Sequence, residues 1–103
     1  MIKHLVLLKV AAEFVNSREL SVAIQALADL KNQAIPQIQS FAAGHNNSSE
    51  GLSREYNYGF VMEFANNFDR DYYLNHSEHR RIASQMLLPL LSDGINSVLV
   101  VDF

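Results

Sequence analysis

The segment Tyr56-Asn-Tyr-Gly-Phe-Val-Met-Glu-Phe64 decides the fold, because Tyr56, Tyr58, Phe60, Met62 and Phe64 recur at every second position. A period of two in aromatic and apolar side chains predicts a strand with one face against a core. Working back, residues 45–55 are polar and carry Gly51, which reads as a loop, and residues 38–44 form a second, weaker strand. Working forward, residues 67–75 predict a short helix. Ser77 can cap another helix, which runs from Glu78 towards Leu88 until Pro89 kinks or ends it.

The two ends complete the pattern. Residues 2–10 alternate, with His4, Val6, Leu8 and Val10 on one side and Lys3, Leu5, Leu7 and Lys9 on the other, and predict the first strand. Asn16 followed by Glu19 has the spacing of a capping box and opens a helix. Leu20, Ile24, Leu27 and Leu30 form its apolar stripe, with Ala23 and Ala34 beside it. Pro36 stops that helix, since the residue before a proline avoids the helical region. Asp93-Gly94 marks a turn, and residues 95–103 predict the last strand. The order β-α-β-β-α-β specifies an α+β, ferredoxin-like protomer, a four-stranded antiparallel sheet with helices on one face.

Composition narrows the function classes. The 103 residues make one domain, residues 1–103, with 49% hydrophobic and 18% charged residues, so the chain is globular rather than disordered. A net charge of −3 argues against a nucleic-acid partner, which would call for a basic face. Arg70, Arg80 and Arg81 are the local exception, interrupted by carboxylates. Cysteine is absent, which excludes disulfides, thiolate catalysis and cysteine-based zinc sites. No apolar run is long enough to span a bilayer and the N-terminal one is too short for a secretory signal, so the expected location is the cytoplasm, with no membrane partner. The three Asn-x-Ser matches at Asn46, Asn47 and Asn75 carry no weight without a secretory signal.

Both sides of the outer segments are apolar: Leu5 and Leu7 against Val6 and Leu8, then Val98 and Val100 against Leu99 and Val101. Two helices cover one sheet face only. The other would present an apolar patch larger than soluble monomers usually show. A second copy packed face to face solves this, giving a homodimer with an interface of roughly 1,600 Å² in total.

Candidate chemistry concentrates in Phe68-Asp-Arg-Asp-Tyr-Tyr-Leu-Asn-His-Ser-Glu-His79, with His4 adding a third imidazole from the first strand. Histidine titrates near neutrality and tyrosine places a hydroxyl on an apolar body, a pairing suited to a carbonyl compound. Tyr73 and His79 are six residues apart, roughly 240° around an ideal helix, so they converge only if the backbone breaks near residues 75–77. At the start of the second helix, the positive end of the helix dipole would keep His79 neutral, as a general base requires. The alternative is that the two side chains simply fix the helix junction. His4, on an apolar face, reads as a satisfied core residue or a ligand contact, and His45 as exposed. His76 and His79 straddle the break, which spoils a regular metal-binding geometry, so neither a metal nor a cofactor is expected.

Several segments together resemble one family: Ile2-Lys-His-Leu-Val-Leu-Leu-Lys9, Ile35-Pro-Gln-Ile-Gln-Ser-Phe41, Gly44-His-Asn, Tyr58-Gly-Phe-Val-Met-Glu-Phe64, Tyr73-Leu-Asn-His-Ser-Glu-His79 and Val101-Asp-Phe103. In order and spacing they resemble the stress-responsive α/β-barrel (Dabb) family over nearly the whole chain. The resemblance implies a ferredoxin-like protomer assembled as a dimeric α+β barrel. Most such proteins are stress-associated or uncharacterised, while a plant branch contains polyketide cyclases that close a linear polyketone chain. That branch's catalytic tyrosine and histidine fall on Tyr73 and His79, and its first-strand histidine falls on His4. Its third-strand histidine falls near Tyr58, where this sequence departs from that branch. The expected function is binding of a small carbonyl-type or aromatic ligand in an apolar pocket, with Tyr73 and His79 catalytic and His4, Tyr58 and Phe60 contacting the ligand. The competing expectation is a non-catalytic stress or assembly protein whose dimer surface is its function. A monooxygenase-like activity on the same architecture rests on fold analogy alone.

Overall fold

The computed structural model describes residues 1–103. Strands β1 (Ile2–Leu8), β2 (Ser40–His45), β3 (Tyr58–Phe64) and β4 (Val98–Asp102) form one antiparallel sheet in the order β2-β3-β1-β4. Helices α1 (Arg18–Gln33), α2 (Asn67–Asn75) and α3 (Ser77–Arg81) connect them in the expected β-α-β-β-α-β order. The protein has the ferredoxin-like fold.

Register explains which side chains face the helices. His4 lies opposite Met62 and Asp102, Val6 opposite Phe60 and Val100, and Leu8 opposite Tyr58 and Val98. These positions share the covered face, where Val6, Leu8, Phe60, Met62 and Phe64 are buried. Helix α1 lays Leu20, Ala23, Ile24, Leu27 and Leu30 on them, as the spacing requires. Burying each leucine or isoleucine contributes about 1.5–3 kcal/mol relative to an exposed position. No helix is long and apolar enough to cross a membrane.

The opposite face carries no helix. Leu5 pairs with Val61 and Val101, and Leu7 with Gly59 and Leu99. Leu99 and Val101 are 41% and 46% exposed. Gly59 allows the Leu7 side chain to lie close: a Cβ there would meet Leu7 Cδ2 at 3.1 Å.

Several boundaries differ from the sequence reading. The N-cap of α1 is Ser17 and not Asn16: its Oγ accepts from the Leu20 amide at 3.1 Å and donates to the Phe14 carbonyl. The first strand ends at Leu8, although Val10 keeps the alternation, stays buried and bridges to Leu91. The third strand starts at Tyr58 because Asn57 turns its side chain onto the Val10 backbone, accepting from its N–H and donating to its carbonyl. The last strand is shorter than expected, since residues 94–97 form a 3-10 turn after Asp93. Finally, α3 does not continue as an α-helix. It widens over Ile82–Leu87 into turns with an i to i+5 bond from the Leu88 amide to the Ala83 carbonyl, then tightens around Pro89.

Candidate functional site

Helix α2 begins at the Asn66 cap, whose side chain accepts from the Asp69 amide at 2.9 Å, and ends where His76 turns extended. His76, not Ser77, caps α3: its Nδ1 accepts from the Glu78 amide at 3.1 Å. This break swings the second helix so that Tyr73 and His79 meet, with ring centroids 4.3 Å apart. The expected bend therefore exists, and it brings the two candidate residues together.

Tyr73 is only 1% exposed, packed against Phe64 at 5.4 Å and edge-on to His4 at 5.9 Å. Its hydroxyl bonds to no protein group, and the residue lines the cavity described below. Burial pushes the phenol well above its ordinary range, which keeps it a proton donor. Burial likewise lowers the proton affinity of His79, against the opposing effect of its bond to Leu74, and nearby His4, Arg80 and His76 lower it further. His79 Nδ1 donates to the Leu74 carbonyl at 3.2 Å. A carbonyl can only accept, so the ring proton is on Nδ1 and Nε2 is bare.

These groups line a cavity of about 360 Å³ between the sheet and the helical segment that runs from α2 through Leu88. Val6, Leu8 and Phe60 form its floor, and Ala83, Leu87 and Leu88 its roof. Ile95, Val98 and Val100 stand at its margin; Ile95 and Val100 are 68% and 49% exposed, which marks the mouth. Of the expected ligand contacts, His4 and Phe60 are in the cavity. Tyr58 is not: it stacks edge-on against His45 at 4.9 Å, where the His45 Nε2 donates to the Val15 carbonyl. Hollows of about 460 and 480 Å³ open elsewhere on the surface, around residues 46–59 and along α2, but neither gathers buried ionisable groups.

Two members of the site escaped the sequence reading. Asp102 Oδ1 accepts from His4 Nδ1 at 2.7 Å, and Asp102 Oδ2 accepts from Arg70 at 3.0 Å. The signal was present in the register, since antiparallel pairing of the two end strands sets Asp102 directly opposite His4. Arg70 lies three residues before Tyr73 on the same helix face, which aims it at the same end of the sheet. The other cations near the site are also partnered: Arg81 pairs with Glu78 and Arg80 bonds Asn75. No group of three or more His, Asp or Glu side chains is placed to hold a metal ion.

The chain matches the family described as the Stress responsive A/B Barrel Domain (Dabb) over residues 2–103. No curated protein matches it in sequence. Among solved structures, it is similar to a dimeric ferredoxin-like protein of unknown function from Jannaschia sp. CCS1, at 30% identity and a TM-score of 0.87, covering 99% of this chain and 96% of that one. An Arabidopsis thaliana protein is similar at 26% identity and a TM-score of 0.85, covering 100% and 93%. A hydroxynitrile lyase from Passiflora edulis shares the fold, with a TM-score of 0.82 at 12% identity over 99% and 90% of the two chains. With its fold, its histidine-bearing first strand and its family match in agreement, this chain belongs to the stress-responsive α/β-barrel (Dabb) family.

Proposed function

We propose that the protein binds a small carbonyl-bearing molecule in the 360 Å³ cavity and that Tyr73 and His79 carry acid–base chemistry on it. The observation supporting this most strongly is the pairing of a buried hydroxyl without a protein partner and a bare imidazole nitrogen, on rings 4.3 Å apart in an apolar enclosure. Such a pair suits proton abstraction beside a carbonyl. His79 Nε2 takes the proton, the C–H electron pair moves into the carbonyl, and the Tyr73 hydroxyl donates to the developing enolate oxygen. In a substrate with a second carbonyl, the enolate carbon attacks it and closes a ring, and the proton held on His79 returns to the new alkoxide. A polyketide-like compound fits this scheme. The polar groups cluster at one end of a largely apolar space, consistent with one reacting end and one apolar tail.

The working unit is a homodimer in this reading. A second copy covers the face that bears Leu5, Leu7, Val61, Leu99 and Val101, and the Jannaschia protein is described as dimeric. That face also favours a second reading, in which assembly itself is the function. An open cavity at Tyr73 and His79 weighs for ligand binding, because a purely structural protein has no need of one. Thermal-shift screening with simple polyketones and aromatic acids tests this: a bound ligand raises the melting temperature, and His79→Ala and Tyr73→Phe remove that rise. Equal shifts in wild type and both variants would discard the assignment.

A further inference from the structure

We propose that Asp102, held in place by Arg70, fixes the ring proton of His4 on Nδ1 and so makes its Nε2 a dedicated acceptor for a hydroxyl- or enol-bearing ligand in the cavity. This inference rests on the cavity reading above for its location. The Asp102 carboxylate accepts on both oxygens, from His4 Nδ1 at 2.7 Å and from Arg70 at 3.0 Å. A carboxylate can only accept, so Nδ1 donates, and in the neutral ring Nε2 is then bare. His4 is 3% exposed and lines the cavity, and no protein group bonds its Nε2. A bare acceptor there is satisfied by a ligand O–H and left unpaired by an ether.

Arg70 gives the arrangement its sign. A guanidinium has five donors and no acceptor, so whichever atom of residue 102 faces Arg70 must be an oxygen. In Asp102→Asn the amide oxygen is therefore held by Arg70 and the amide NH₂ turns to His4. Nδ1 must then accept, and the ring proton moves to Nε2. One isosteric change converts the cavity-facing nitrogen from acceptor to donor while the packing around it stays the same. Arg70 and Asp102 are thus positioning residues, acting on a ligand through His4.

Nitrogen-15 NMR of the histidine rings, on the full chain without ligand at pH 8, reads the tautomer directly. The expected result is an Nδ1–H ring for His4 in wild type and an Nε2–H ring in Asp102→Asn. Titration with phenol and with anisole reads the consequence. Phenol should shift His4 Nε2 in wild type, and the ratio of phenol to anisole affinity should fall about tenfold in Asp102→Asn, because an Nε2–H bonds the ether oxygen that the bare nitrogen left unpaired. An Nε2–H ring in wild type, an unchanged tautomer in Asp102→Asn, or an unchanged ratio of phenol to anisole affinity would overturn the proposal. If neither compound enters the wild-type cavity, the ligand-binding reading fails, and the tautomer of the free protein still decides the role of Arg70 and Asp102.

Discussion

Tyr73 and His79 stand six positions apart in the chain, yet their rings are 4.3 Å apart because His76 ends one helix and caps the next. A continuous helix would turn them to different sides. The junction is thus the device that assembles the pair, and the two side chains reach the cavity from separate helices. This arrangement lets the hydroxyl and the imidazole be tested separately.

Tyr73→Phe should leave the fold intact, with stability within about 1 kcal/mol of wild type, because the hydroxyl it removes has no protein partner. Tyr73→Ala should cost about 3–5 kcal/mol, since the ring is buried against Phe64 and His4. Chemical denaturation separates the two. A large loss in Tyr73→Phe would mean that the hydroxyl is a structural bond and not an open donor.

His79 should make stability depend on acidity in a defined direction. Its folded proton affinity is lowered, chiefly by burial, from the value near 6.5 of a free imidazole. Below about pH 6.5 the unfolded chain binds a proton that the folded chain resists, so stability rises with pH there. The contribution is complete above about pH 6.5 and is lost as the pH falls towards the lowered folded value. Denaturation of wild type and His79→Gln between pH 5 and 8 should therefore show a smaller acid loss in the variant. Parallel curves would place His79 in a solvent-like setting.

The uncovered sheet face should control assembly. Val101 sits opposite Leu5 and is 46% exposed in the protomer, so Val101→Asp meets little resistance within one chain. Across an apolar interface the same carboxylate is buried without a partner. Light scattering should give a dimer mass for wild type and about the protomer mass of 11.6 kDa for the variant. A wild-type monomer would refute the paired arrangement.

Ser17→Ala should destabilise the protein by about 1 kcal/mol, the usual cost of a lost helix cap. Asn16→Ala should change stability far less, because Asn16 is exposed and does not cap. Thermal melts of the two variants distinguish the neighbouring positions.

The order of elements was legible because each one carries its own period: two along His4, Val6 and Leu8, and three to four along Leu20, Ile24, Leu27 and Leu30. The bend between Tyr73 and His79 was legible from cap-forming residues at 75–77. Identity of the caps was less so, since Asn16 and Ser17, or His76 and Ser77, offer similar oxygen or nitrogen acceptors, and backbone geometry picks one. Asp102 and Arg70 stayed hidden because their partnership with His4 depends on strand register, which sequence spacing alone does not specify. Tyr58 misled because alternation assigns a face but not a place across the sheet: Leu8 and Val98 at the same register line the cavity, while Tyr58, on the neighbouring strand away from β4, packs on His45.

The widened turns over Ile82–Leu87 have one more consequence. Ala83 and Leu87 hang from them over the hollow, and neither contributes a rung to the strand ladder. Bulk can be added or removed there without altering how the strands are zipped together. The scaffold and the room it encloses are therefore set by different stretches of chain, so the hollow can be widened or narrowed while the frame stays as it is.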